Sequence, residues 1–304
     1  MSTYKFLKKF IEYLEVEKNA SKYTIEFYER DIVTFFQFLE KEHISDLQAV
    51  DQQTVRVFLT ELYDRKLSRK TVSRILSCLR SFYKFLEKDA SISNNPFIHI
   101  PLPKQEKHIP DFFYEEELAQ IFQVCDSSTP LGQRDQAILE LLYATGIRVS
   151  ECQDLRLHQI DFTLSFINVI GKGRKERYIP FGQYAQAALE TYIKDGRRKL
   201  LEKSDNETTD YVFLNARGDP LTTRGIYYIL QSIVKKAAVH VKMHPHKLRH
   251  TFATHLLNEG ADLRTVQELL GHEHLSSTQI YTHITKDKLR NVYMNSHPRA
   301  KRSK

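Results

Sequence analysis

Four histidines, His244, His246, His250 and His255, crowd the stretch "HPHKLRHTFATHLL", with Arg249 among them and His272 and His274 just beyond in "LLGHEHL". Two chemistries could use such a set. A spacing of four puts His246 and His250 on one helical face, as in zinc sites built on HExxH. Lys247, however, stands where that motif carries its general base, and Arg249 would add a second cation beside the dication. No Asp or Glu cluster lies nearby to offset them. No metal and no cofactor are expected. An oxyanion suits the residues better. His246 and Arg249 are three apart, so a helix presents imidazole and guanidinium side by side. The guanidinium fork matches two phosphate oxygens, and imidazole adds a hydrogen bond and a proton near neutral pH. His250 and His255 then read as packed helix histidines, and His244 as a flank of the site entrance.

An enzyme built on an anion pocket needs a nucleophile. Gly271 reads as a helix end, which leaves His272 at a terminus. Nine residues on, Tyr281 falls in "STQIYTH", in a short helical or turn segment. Spacing alone does not separate Tyr281 from a packed core tyrosine.

Helices must carry these groups. The chain has 304 residues, 41% hydrophobic and 11% aromatic, enough for two domains with real cores. No apolar run could span a bilayer, and the charged N-terminus lacks the apolar core of a secretory signal, so a cytoplasmic protein with no membrane contact is expected. Cys78, Cys125 and Cys152 are far apart and unpaired in sequence, which fits a reducing compartment. Net charge is +7, a modest lean toward a polyanionic partner.

Residues 1 to about 90 show helical spacing with polar breaks: "YKFLKKFIEYLEVEK", then a helix capped by Ser21, then one near Thr54–Lys66. In "SRKTVSRILSCLRSFYKFLEKD" the stripe Val72, Ile75, Leu79, Phe82 and Leu86 opposes a face of Lys70, Ser73, Arg74, Ser77, Arg80, Ser81 and Lys84. That face carries no acid before Glu87, and cations alternating with hydroxyls suit phosphates. Lys70, Arg74, Arg80 and Lys84 are therefore candidate nucleic-acid contacts. Pro96, Pro101, Pro103 and Pro110 mark a linker, 94–110, with the boundary near 106. Beyond it, helices "YEEELAQIFQVC" and "QRDQAILELLYATG" (ended by Gly146) precede a short helix at "RVSECQDL". "FINVIG" and "ERYIPF" read as a hairpin around "KGRK". Helices resume near Tyr184, Thr222, His246 and Leu263. Fold class is thus mainly α with a small β-sheet.

The combination "ATGIRVSE", "GKGRKERYIP", "HPHKLRHTFATHLL" and "LLGHEHLSSTQIYTH" resembles the tyrosine recombinases, or phage-integrase family, across nearly all of 107–304, and its bacterial Xer branch in particular. The resemblance implies an N-terminal core-binding domain (1–93) and a catalytic domain (111–304) with a C-terminal docking tail, "KDKLRNVYMNSHPRAKRSK", forming a C-shaped clamp on DNA. It assigns Arg148, His246, Arg249 and His272 to the phosphate, with His246 as base and Tyr281 as nucleophile. Lys172 becomes the acid that protonates the leaving 5′-hydroxyl; as turn cations alone, Lys172, Arg174 and Lys175 are indistinguishable. The implied reaction is site-specific recombination through a 3′-phosphotyrosyl intermediate, without metal or ATP. Implied partners are double-stranded DNA at a dif-like site, a second Xer recombinase in a hetero- or homotetramer on two sites, and a cell-division DNA translocase, with chromosome dimer resolution as the role. Competing readings are a type IB topoisomerase-like nicking enzyme, a non-catalytic DNA-binding regulator and a metal hydrolase.

Overall fold

Polar caps set the helix starts in the N-terminal half. Ser21, Asp51 and Ser68 each accept a hydrogen bond from the backbone N–H three residues on, at 3.2, 2.8 and 3.2 Å, each worth ~1 kcal/mol. The computed structural model describes residues 2–18, 20–103, 112–171, 176–204, 208–237, 243–271 and 286–301. It divides into two units, Met1–His108 and Ile109–Lys304.

In the first unit α1 (Ser2–Val16), α2 (Lys22–Lys41), α3 (Gln52–Asp64) and α4 (Arg69–Lys88) surround an aromatic core. Phe10, Phe35, Phe58, Phe82, Tyr83 and Phe97 are fully buried there. Phe97 changes the expected domain limits. Its ring lies 5.0 Å from Tyr83 and 5.6 Å from Phe35, and Ile100 is buried in the same cluster. Residues 94–100 are therefore part of the first unit, not linker. Proline content alone could not reveal this, because the segment is held by packing and not by helix or sheet bonds. The stripe on α4 is also broader than its spacing of threes and fours suggests, since Leu76, Cys78 and Tyr83 are buried too.

The second unit is built around α6 (Pro130–Thr145), which follows α5 (Glu115–Gln123). Every residue from Ala137 to Ile147 is buried, so this helix has no solvent face in its second half. It packs against α8 (Gln183–Thr191), the π-helical turn Tyr192–Gly196 and α11 (Pro245–Asn258). Between them run α7 (Val149–Asp154) and an antiparallel sheet of β1 (Ile160–Asp161), β2 (Phe166–Ile170) and β3 (Glu176–Pro180), in that order. The expected hairpin is β2–β3, with Ile167 opposite Ile179; the two-residue β1 was too short to leave a period. The turn beyond the π segment continues as α9 (Arg197–Leu201), then come α10 (Thr223–Lys236), α12 (Leu263–Leu270) and α13 (Lys286–Ser296). No helix among the described residues is long and apolar enough to cross a membrane.

Candidate phosphate-binding site

Two left-handed glycines create the site. Gly146 (φ 58°) ends α6 and Gly271 (φ 66°) ends α12. That backbone costs an L-residue ~1–2 kcal/mol and a glycine almost nothing. Just past Gly146, Arg148 sits at the N-cap of α7. Its backbone N–H donates to Glu151 Oε2 (2.8 Å) and its Nη1 to Glu151 Oε1 (3.0 Å). A glutamate three residues into a helix commonly reaches back in this way.

On α11, His244 is the N-cap, its Nδ1 accepting from the N–H of Lys247 (3.0 Å), and Pro245 opens the helix. Proline is suited to that place because its missing N–H would have had no intrahelical partner. One turn on, Arg249 is 8% exposed. Its Nη1 donates to the carbonyl of Gly146 (2.6 Å) and its Nη2 to that of Leu270 (2.5 Å). Arg148 Nη2 reaches the next carbonyl, Gly271, at 3.4 Å. The two guanidiniums predicted to share a phosphate thus meet at the last carbonyls of α12, where helix geometry leaves acceptors unpaired and the dipole is negative. His246, His244 and His250 are exposed. Partial burial of its ring, then the positive fields of His244, His250, Arg249 and Arg148, hold the His246 pKa below the ordinary imidazole value.

His255 is a packed histidine. It is buried, with Nδ1 2.8 Å from the Tyr143 hydroxyl and Nε2 3.0 Å from the carbonyl of Phe113. Both ring nitrogens are occupied, so it is not free to hold a metal. Lys172, His272 and Tyr281 lie outside the described residues.

Glu151 and Arg177 were not anticipated. Arg177, on β3, grips Glu151 with Nη1 to Oε1 (2.9 Å) and Nη2 to Oε2 (2.8 Å). Burial alone would raise the Glu151 pKa, but hydrogen bonds and charge from Arg177, then from Arg148, outweigh it and leave it lowered. The signal for Glu151 was present in "RVSE", an arginine followed three residues later by a glutamate; for Arg177 there was none beyond its place in the hairpin.

On the first unit, Lys70 and Lys84 are exposed. The other two candidate DNA contacts are engaged within the protein. Arg74 pairs with the buried carboxylate of Asp31 and lies over the Phe27 ring, 5.1 Å from its centre. Arg80 donates from Nε to the carbonyl of Phe97 (3.1 Å) and from Nη2 to that of Ile100 (2.8 Å). A second acid-free surface escaped the sequence reading. Helix α10, "TRGIYYILQSIVKK", exposes Arg224, Tyr227, Tyr228, Ser232 and Lys235.

Residues 111–288 match the phage integrase family, and residues 7–89 match the phage integrase N-terminal SAM-like domain. The chain is 60% identical over 299 residues to tyrosine recombinase XerC of Oceanobacillus iheyensis, covering 98% of each chain. Among solved structures, the Tn1549 transposon integrase in complex with transposon right-end DNA superposes with a TM-score of 0.69 at 21% identity, over 96% of this chain and 98% of that one. A lambda integrase tetramer bound to a Holliday junction gives 0.66 at 17%, over 93% and 80%.

Proposed function

The chain belongs to the phage integrase family and is a tyrosine site-specific recombinase, and on that premise we propose that it resolves chromosome dimers at a dif-like site through a 3′-phosphotyrosyl intermediate. The observation that carries the proposal is the convergence of Arg148 and Arg249 on adjacent carbonyls of α12, with His246 one turn before Arg249. Two guanidiniums there suit the non-bridging oxygens of one phosphodiester, whose charge grows in the transition state.

The Tyr281 oxygen attacks phosphorus, the P–O5′ bond breaks, and the DNA 3′-phosphate becomes joined to the tyrosine. His246 takes the phenol proton, since a free phenol has a pKa of ~10 and needs a base. Lys172 gives a proton to the departing 5′-oxygen, and His272 adds a hydrogen bond to the phosphate. The phosphotyrosyl bond conserves the energy of the one it replaces, so a 5′-hydroxyl from another strand reverses the step without ATP. Two duplex sites, and a tetramer built with a second Xer recombinase, complete the exchange; a cell-division DNA translocase is the further partner. The lambda integrase tetramer on a Holliday junction supports that stoichiometry. Lys70 and Lys84 contribute phosphate contacts from the first unit, and the α10 face contributes more from the second.

A nicked suicide duplex carrying a candidate site tests the proposal. Wild type is expected to trap a covalent protein–DNA adduct, and Tyr281→Phe to trap none. An adduct that survives the substitution rules out Tyr281 as nucleophile. A two-site supercoiled plasmid that is relaxed without yielding resolved circles points instead to a nicking enzyme.

A further inference from the structure

Three guanidiniums reach the end of α12. Arg177 Nε donates to the carbonyl of Leu269 (3.2 Å), Arg249 to that of Leu270 (2.5 Å) and Arg148 to that of Gly271 (3.4 Å). Cations are favoured at a helix C-terminus, but three within one turn repel one another. Among the described residues, Glu151 is the carboxylate hydrogen-bonded within this group. Its side chain is 6% exposed, and it accepts both Nη atoms of Arg177 together with the N–H and Nη1 of Arg148. A carboxylate has about four acceptor sites. Each arginine therefore takes two.

The two arginines are not equivalent. The Arg177 side chain is 14% exposed and that of Arg148 38%. Arg148 opens outward, whereas Arg177 is covered. Gly271 does the covering: a Cβ there would stand 3.2 Å from Cδ, Nε and Cζ of Arg177. Absence of that one atom lets the guanidinium lie against the backbone that leads directly into His272.

We propose that Arg177 is a positioning residue for DNA cleavage, holding Arg148 through Glu151. The inference rests on the phosphotyrosine reading above, because Arg148 is the phosphate-binding group that it positions. With its charge matched by a covered, bidentate fork, Glu151 orients Arg148 without neutralising it, and Arg148 keeps its positive charge for the phosphate. Without Arg177, the carboxylate has only Arg148 to pair with in this network, and draws that guanidinium inward. Lysine restores the charge but not the planar fork, so charge alone does not replace it.

The experiment measures three quantities on the full chain: single-turnover cleavage of the suicide duplex at saturating protein, DNA affinity, and melting temperature. Arg177→Gln and Arg177→Lys are expected to bind DNA within about twofold of wild type and to cleave roughly 10–100-fold more slowly. Because Arg177 acts through Glu151, adding Arg177→Gln to Glu151→Gln is expected to slow cleavage little further. Wild-type rates in the folded Arg177 variants overturn the proposal. So does a full multiplication of the two losses in the double variant, or a loss confined to affinity. Should Arg177→Gln fail to fold, Arg177→Lys carries both the rate comparison and the cycle. The Tyr281→Phe control keeps the two ideas separable: an adduct in that variant defeats the phosphotyrosine reading, whereas normal cleavage by Arg177 variants, with Tyr281 required, defeats only this inference.

Discussion

At the residue scale the site is an exercise in keeping cations charged while covering them. Burial, then repulsion from Arg148, pushes the Arg249 pKa down to about 10, with Glu151 acting in the opposite sense. At neutral pH the side chain remains protonated. Carbonyl partners make this possible, since a buried charge is tolerated when its donors are satisfied. His246 experiences the same surroundings with the opposite consequence. Its lowered pKa keeps it neutral, and able to take a proton, at a pH where a free histidine is already protonated. The free-enzyme profile of cleavage efficiency (kcat/KM, or its single-turnover equivalent below saturation) is therefore expected to lose its acid limb below 6.5, the ordinary imidazole value. An inflection above that value that disappears in His246→Gln would overturn the lowered pKa, and an acid limb unchanged in His246→Gln would overturn the base assignment.

At the element scale, function depends on how helices end. Gly146 stops α6 so that Arg148 can begin α7, and the same turn supplies the carbonyl that anchors Arg249. A Cβ at Gly146 would lie 2.5 Å from Phe252 Cδ1 and 2.9 Å from Leu270 Cδ2, on a left-handed backbone. Gly146→Ala is expected to destabilise the second unit by roughly 2–5 kcal/mol, the sum of backbone strain and overpacking. Its melting transition should fall by roughly 5–15 °C, and an unchanged transition would show that α6 and α11 can yield there. The C-cap glycines and the Ser21 N-cap were legible in the sequence because they depend on neighbours a few residues away. The seating of 94–100 was not. It depends on Phe97 finding Tyr83 and Phe35, and on Arg80 reaching two carbonyls across 17 and 20 residues.

For the whole molecule, a net charge of +7 and two separate cores describe a protein whose affinity for duplex DNA should be largely electrostatic. Its binding constant is expected to fall steeply with salt. Lys70→Ala and Lys84→Ala should each lessen the slope of log K against log salt by about 1. Arg74→Ala is expected to act otherwise, lowering the stability of the first unit while changing that slope less, because Asp31 is left buried without its partner. Salt titrations with thermal melts in parallel distinguish the two outcomes. Equal effects on the slope from all three would place Arg74 at the DNA after all.

The sequence by itself determined the helical class, the hairpin, the glycine ends and the His246–Arg249 pair, because each is written in residues close enough to share a helix or a turn. Family likeness added Arg148, Lys172, His272 and Tyr281 as expectations that no spacing rule supplies. Tertiary structure alone decided that Arg148 and Arg249, 101 positions apart in the chain, reach adjacent carbonyls of α12. It also decided that Arg177 backs Glu151, and that two of the four candidate DNA contacts on α4, Arg74 and Arg80, are engaged by partners within the protein. The physical reason is the same in each case. A guanidinium's charge is fixed by its chemistry, but whether it meets a carboxylate, a carbonyl or a phosphate depends on which distant segments the packed core brings within hydrogen-bond reach.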